Sequence, residues 1–185
     1  MRKLNFLATV LFTTLLFVSC SKDDDSTPEP VNEEEVITTL TATLVPAGQG
    51  TTITLKSQDL DGDGPNAPVI TVSGNLSAGV IYNGTIELLN EMESPAEDIT
   101  EEVEEEDLDH QFFYTIGGGL DVTTSYENND SEGNPLGTEF TLVAGAASSG
   151  ALTFTLRHEP TKPNTGLDDA GGETDLAVTF NLTVE

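Results

Sequence analysis

Residues 176–184 read LAVTFNLTV, and this stretch decides the fold. Every second residue in it is large and apolar: Leu176, Val178, Phe180, Leu182 and Val184. Successive side chains of a strand point to opposite faces, so this period of two predicts a strand that buries one face. We expect so regular a strand to pair inside a sheet. Residues 36–44 (VITTLTATL) show the same alternation with many threonines.

Seven further short stretches have the composition of strands and are separated by Gly, Asn and Pro. They are residues 51–56, 69–72, 80–89, 112–116, 120–126, 138–143 and 152–158. Many short strands at such spacing favour an antiparallel fold with few helices. The sequence therefore predicts an all-β chain: a single antiparallel β-sandwich or barrel-like domain of about nine strands over residues 36–185.

One segment departs from this pattern. Residues 91–109 contain eleven acidic residues and no basic one. Ser94 and Glu97 have the spacing of a capping box, with a proline at the first helical position. Ile99 and Val103 lie four apart and so share one helix face. We expect an acidic helix over about 95–107 that lies across the sheet.

The N-terminus has the features of a lipoprotein signal. Residues 1–19 combine a basic start with an apolar run too short to span a bilayer, and a small residue precedes Cys20. This pattern predicts lipidation at Cys20; the alternative is an ordinary signal peptide with an incidental cysteine. Residues 20–35 then form an acidic, disordered tether in this interpretation. The start CSKDDD resembles the export signal of Bacteroidetes lipoproteins. This resemblance implies that the protein lies in the outer membrane with its domain facing the cell exterior. The alternative is that these residues are a solvated acidic linker.

Charge and composition exclude several classes of function. The 185 residues include 33 Asp and Glu but only 6 Lys and Arg, for a formal net charge of −27. A nucleic-acid-binding surface needs basic residues that this chain lacks. A single cysteine excludes an intramolecular disulfide or a multi-cysteine metal site. No nucleophile elbow of the Gly-x-Ser-x-Gly type is present, and aromatic residues suited to a sugar cleft are few, so we expect no enzyme.

Asp59, Asp61 and Asp63 form a candidate calcium site. The run DLDGDG has the D-x-D-x-D-G form of a calcium loop, in which alternate carboxylates converge on one ion. An EF-hand would also need a Glu at loop position 12, where this chain has Ile70. The alternative is an acidic turn between strands that needs no ion.

His110 and His158 form a candidate transition-metal site. They are the only histidines, and acidic residues lie near both, notably Asp107 and Glu159. Imidazole nitrogens with carboxylate oxygens suit Zn²⁺ or Cu²⁺ if the two histidines meet in space. Otherwise each histidine is simply hydrogen-bonded. The nearby basic residues Arg157 and Lys162 are expected to contact the acidic helix.

Residues 33–185 resemble a group of short Bacteroidetes surface lipoproteins. The resemblance lies in DLDGDGPNAPVITVSGNL, PAEDITEEVEEEDLDHQFFY and LRHEPTKPNTGLDDAGGETDLAVTFNLTVE. Members are commonly labelled as having a type 1 periplasmic-binding fold, which implies two α/β lobes. The strand pattern of this chain predicts an all-β domain instead. The resemblance also implies an accessory role beside a TonB-dependent outer-membrane transporter.

Two functions follow from these features. The first is a non-enzymatic outer-membrane surface lipoprotein that captures a cation or a small nutrient for such a transporter. The alternative is a calcium-stabilised structural or adhesive module that binds a protein or a glycan. A hydrolase is a third interpretation, because carboxylates are numerous enough to supply a glycosidase pair.

Overall fold

A computed structural model describes residues 35–62 and 64–185. The predicted signal peptide, Cys20, the predicted tether as far as residue 34, and Asp63 lie outside the described residues. Glu35 was expected to end the tether, but it belongs to the compact body that follows.

The described residues form ten strands and two short helices. In chain order these are β1 (Thr39–Pro46), β2 (Ile53–Gln58), β3 (Val69–Val72), β4 (Ile81–Asn90), β5 (Glu97–Asp98), α1 (Ile99–Glu105), β6 (His110–Gly117), β7 (Val122–Tyr126), β8 (Glu139–Ala144), β9 (Ser148–His158), α2 (Leu167–Ala170) and β10 (Glu173–Val184). All the strands expected from the sequence are present, with shifts of a few residues at their ends.

The strands build two antiparallel sheets. The larger sheet has the order β3-β2-β1-β4-β8-β7, and β5 pairs with the end of β4. The smaller sheet has the order β10-β9-β6. The predicted all-β, sandwich-like fold is therefore confirmed. Strand β10 is an edge strand, however, and not an internal one, although it pairs with β9 along nearly its whole length.

The inward faces of both sheets supply the core. Leu40, Ala42 and Leu44 of β1 are fully buried, as the alternation predicts. Phe140 of the larger sheet meets Phe154 edge-to-face at 5.7 Å between ring centroids, and Phe154 meets Phe180 of β10 in the same way at 5.7 Å. Such aromatic contacts contribute about 0.5–1.5 kcal/mol beyond the burial of area. The chain of rings joins the two sheets.

The acidic helix is present but starts later than predicted. Residues Glu97 and Asp98 are extended because they pair with the end of β4, so the capping box at Ser94 is not used. Asp98 caps the helix instead, accepting a hydrogen bond from Thr100 N at 3.0 Å. Ile99 and Val103 are buried, which confirms the face they were expected to present. The helix ends two residues earlier than predicted, at Glu105.

Candidate metal centre

The two histidines meet at one end of the smaller sheet. His110 begins β6 and His158 ends β9, and the antiparallel pairing of these strands sets the two residues directly opposite each other. Their ring centroids are 4.7 Å apart. Both residues are buried, with 0% and 4% of their surfaces exposed. The register of β6 on β9 thus creates a pair of imidazoles inside the protein.

Two carboxylates complete the cluster. Glu35 lies four residues before β1, and its Oε1 is 2.8 Å from His110 Nε2 while its Oε2 is 3.4 Å from His158 Nδ1. Asp175 lies in β10, with its Oδ1 3.8 Å from His158 Nδ1. One ligand atom from each of these four residues lies within 4.8 Å of the other three. The cluster therefore draws on β6, β9, β10 and the segment that leads into β1.

A β-bulge turns Asp175 inward. The alternation of β10 assigns Asp175 to the outward face, together with Ala177, because Leu176 and Val178 point into the core. The register between β10 and β9 shifts between Thr174 and Leu176, which leaves Asp175 as the extra residue. Such a bulge re-aims a side chain. The Asp175 side chain is fully buried as a result.

A tight approach of the backbone fixes His158. Gly172 precedes β10 with a positive φ of 69°, and a Cβ atom there would lie 2.2 Å from the carbonyl oxygen of His158. Only glycine permits this contact. The neighbouring Gly171 also has a positive φ, of 63°, but a Cβ atom there would meet nothing within 4 Å.

Backbone contacts orient His110. Its Nδ1 lies 3.2 Å from the carbonyl oxygen of Glu106, just past the end of α1. A proton on Nδ1 that is donated to this carbonyl leaves the Nε2 lone pair directed at the cluster. Histidines that bind metals are commonly oriented by such a bond from the second ring nitrogen. The carbonyl of His110 in turn accepts a hydrogen bond from Lys162 Nζ at 2.6 Å.

The charges of Glu35 and His110 support each other. Burial raises the pKa of Glu35, but the contacts with His110 and His158 outweigh it, and the pKa lies below its usual 4.5. Burial lowers the pKa of His110, but the Glu35 carboxylate, the Glu106 carbonyl and Asp175 outweigh it, and the pKa lies above its usual 6.5. The cluster thus favours a positive charge, here a proton, at the position between Glu35 and His110.

Two residues expected in this site lie elsewhere. Asp107 accepts hydrogen bonds from Ser131, from its N at 2.8 Å and from its Oγ at 3.0 Å. Glu159 is exposed with a positive φ of 48°, and its N–H donates to the carbonyl of Asp109. Proximity in the sequence suggested both, but the carboxylates that reach the histidines are Glu35 and Asp175. No signal in the sequence identified these two, because Glu35 is the last of three consecutive glutamates and the position of Asp175 depends on a bulge.

Of the two basic residues near the end of β9, Lys162 reaches the last residue of the predicted helix, Asp107, as expected, whereas the described contacts of Arg157 do not include the helix. Lys162 Nζ binds the carbonyl of Asp107, just beyond α1, at 2.7 Å and the Asp130 carboxylate at 3.1 Å. Arg157 instead contacts the start of β10, where its Nη1 donates to Thr174 Oγ1 at 2.6 Å. Neither residue makes a described hydrogen bond or ion pair with an acidic side chain of the helix.

The candidate calcium loop is described only in part. Asp61 accepts hydrogen bonds from Asn66, from its Nδ2 at 2.6 Å and from its N at 3.3 Å. Asp59 lies partly buried at the end of β2, with its N–H bonded to Thr38 O at 2.7 Å. Asp63 lies outside the described residues. Calcium binding by this loop therefore stays a prediction.

Comparisons with known proteins add no identification. No protein family, no curated protein and no solved structure matches the chain. Among the described residues, no helix is long and apolar enough to cross a membrane.

The donor set is chemically suited to a transition metal. Two imidazole nitrogens and two carboxylate oxygens are ligands that Zn²⁺ and Cu²⁺ accept. Zinc bonds of about 2.0–2.1 Å place tetrahedral donors roughly 3.3 Å apart. The separations of 2.8, 3.4 and 3.8 Å in the cluster bracket this value. All four ligand atoms lie within 4.8 Å of one another.

Proposed function

We propose that this protein binds one divalent transition metal ion, Zn²⁺ or Cu²⁺, through Glu35, His110, His158 and Asp175. The single observation that carries the proposal is the convergence of four ligand atoms within 4.8 Å inside the protein. The four residues come from four separate segments, so the convergence is a product of the fold and not of a local acidic run.

Charge balance supports a metal ion at this position. The Glu35 carboxylate is only 4% exposed in its side chain and lies against both imidazoles. Buried charges are costly unless they are paired or coordinate a metal. A divalent ion would balance the charge of Glu35 and use the imidazole lone pairs at the same time.

The number of protein ligands favours binding over catalysis. Structural zinc sites use four protein ligands, whereas catalytic sites keep one position for water or substrate. Four residues converge here, which supports the non-enzymatic function expected from the sequence. In the full proposal, the domain is anchored to the outer membrane through Cys20 and captures a metal ion at the cell surface. A TonB-dependent transporter is the partner that this role implies.

Calorimetric titration of the mature chain tests the proposal. Residues 20–185 are used with Cys20→Ser, so that the free thiol cannot bind metal. We expect one Zn²⁺ or Cu²⁺ per chain for the unaltered cluster, and loss of binding in His158→Gln and Asp175→Asn. Asp107→Asn and Glu159→Gln are matched controls, because these residues lie outside the cluster, and both should bind normally. The absence of heat and of a thermal shift with either metal would overturn the proposal.

A further inference from the structure

A cleft of about 400 Å³ lies beside the metal cluster, between the start of β1, the end of β2 and β10. Its lining includes apolar side chains such as Ile37, Leu40 and Val178, and three carboxylates from separate segments. These carboxylates are Glu35, Asp59 and Asp175. No Lys, Arg or His is among the described residues that line it. The electrostatic character of the cleft is therefore negative.

The cleft reaches the carboxylate side of the cluster and not its histidine side. Glu35 and Asp175 belong both to the cluster and to the lining of the cleft, whereas His110 and His158 line the cluster alone. An ion that arrives through the cleft meets carboxylate oxygens first and imidazoles afterwards. This order suits a hydrated divalent ion, which exchanges its waters for protein ligands step by step.

Asp59 differs from the other two carboxylates because it lines the cleft but does not belong to the cluster. Its Oδ1 is buried and has no hydrogen-bond partner among the described residues. A buried carboxylate oxygen without a donor is costly, and a cation beside it relieves that cost. The backbone hydrogen bond to Thr38 holds Asp59 beside the start of β1, next to the segment that carries Glu35.

The dimensions of the cleft fit a hydrated ion. A water molecule takes up roughly 30 Å³ in the liquid, so 400 Å³ corresponds to about a dozen waters. A divalent ion with a first shell of about six waters fits this space. Clefts lined by charge of one sign raise the local concentration of counter-ions and their association rates by about 10–10³.

From these observations we infer that the cleft is the access route of the metal ion and that Asp59 is a transit ligand along it. This inference rests on the proposed function, since it concerns the path to the same cluster. Asp59 binds the incoming ion while its hydration shell is still largely in place, and the ion then moves to Glu35, Asp175 and the two histidines. In the final complex Asp59 is not a ligand.

Stopped-flow kinetics test the role of Asp59. The mature chain with Cys20→Ser is mixed with Zn²⁺, and the fall in free Zn²⁺ is followed with a fluorescent indicator. We expect Asp59→Asn to lower the association rate at least about threefold. This is part of the roughly 10–10³-fold increase that a charged cleft gives, because Asp59 is one of its three carboxylates. The dissociation rate should fall in parallel, so that the equilibrium affinity changes less than the rate. Asp59→Glu keeps the carboxylate and should restore most of the rate.

Asp168→Asn is the matched control for net charge, because Asp168 is an exposed aspartate of α2 outside the lining of the cleft. It should leave the association rate nearly unchanged. An association rate for Asp59→Asn equal to that of Asp168→Asn would overturn the inference. An increased dissociation rate at a constant association rate would also overturn it, because Asp59 would then be a ligand of the final complex. Failure of the unaltered protein to bind Zn²⁺ would instead refute the proposed function itself.

Discussion

His110 and His158 face each other across the β6–β9 pair as register partners, and both are buried. Two imidazoles side by side in a protein interior need hydrogen-bond acceptors, a proton or a metal ion. The Glu35 carboxylate contacts both rings and Asp175 approaches His158. The stability of the fold, its affinity for metal and its response to pH should therefore all depend on this one cluster.

A bound metal should stabilise the fold. A ligand that binds only the native state adds about 2.7 kcal/mol at a concentration one hundred times its dissociation constant. We expect Zn²⁺ at such a concentration to raise the Tm of the mature chain in differential scanning calorimetry, and His110→Gln to lose most of this increase. An equal increase in Tm for His110→Gln would place the metal elsewhere.

The stability of the metal-free protein should depend on pH through the Glu35–His110 pair. The pKa of Glu35 is lowered in the folded protein. Its contribution to the free energy of unfolding is therefore complete above pH 4.5, the usual pKa, and is lost as the pH falls through the pKa of the folded state. The pKa of His110 is raised in the folded protein. Its contribution to the free energy of unfolding is therefore complete below pH 6.5 and is lost as the pH rises through the pKa of the folded state. The pair therefore stabilises the fold most between pH 4.5 and 6.5.

Urea unfolding in the presence of a chelator measures this effect. The free energy of unfolding of Glu35→Gln should lie below that of the unaltered protein by about 3 kcal/mol between pH 4.5 and 6.5, the size expected for breaking a buried pair. The difference should shrink at higher pH, once His110 has lost its proton. A difference independent of pH from 4 to 10 would contradict the predicted pairing.

Lys162 should matter for both stability and metal binding. Its ammonium group donates to the carbonyls of Asp107 and His110 and to the Asp130 carboxylate, and its side chain is only 6% exposed. Lys162→Met leaves these acceptors without their donor, so we expect a loss of about 3 kcal/mol in the free energy of unfolding. The affinity for Zn²⁺ should fall as well, because the start of β6 positions His110.

Lys56→Met is the control for this substitution. Lys56 lies in β2 and is not a member of the cluster, and surface substitutions outside such contact networks usually change stability by less than about 0.5 kcal/mol. Denaturant unfolding and Zn²⁺ titration of both variants give the comparison. Equal stability losses at the two lysines would show that the contacts of Lys162 contribute little.

Gly172 and Gly171 offer a test of the backbone that holds His158. Both have positive φ, so alanine at either position strains the backbone by about 1 kcal/mol or more. Only at Gly172 does the added Cβ collide with the His158 carbonyl oxygen, at 2.2 Å. Gly172→Ala should therefore weaken Zn²⁺ binding severalfold more than Gly171→Ala. Calorimetric affinities measure this difference, and equal affinities would argue against the positioning role.

The sequence by itself determined the class of fold. The alternation at 176–184 and 36–44 fixes which residues of β10 and β1 are buried, because a strand has a strict period of two. The buried positions of Ile99 and Val103 followed in the same way from the period of a helix. These are local rules, and local rules are readable from a single sequence.

The start of the helix was decided by tertiary structure. The capping box at Ser94 satisfies the local rule for a helix start, but residues 97 and 98 pair with β4 as an extended strand. Backbone hydrogen bonds to a neighbouring strand outweigh a local capping preference of about 1 kcal/mol. The helix begins only where this pairing ends.

The candidate site depended almost wholly on tertiary structure. The two histidines were identifiable by residue type, but their meeting depends on the register of β6 on β9. Asp107 and Glu159 are near in sequence and lie outside the cluster, whereas Glu35 and Asp175 are distant in sequence and complete it. The physical reason is that a metal site is a set of distances. Those distances are fixed by strand register, by one bulge at Asp175 and by a glycine against His158, which no pattern of residue types along the chain encodes.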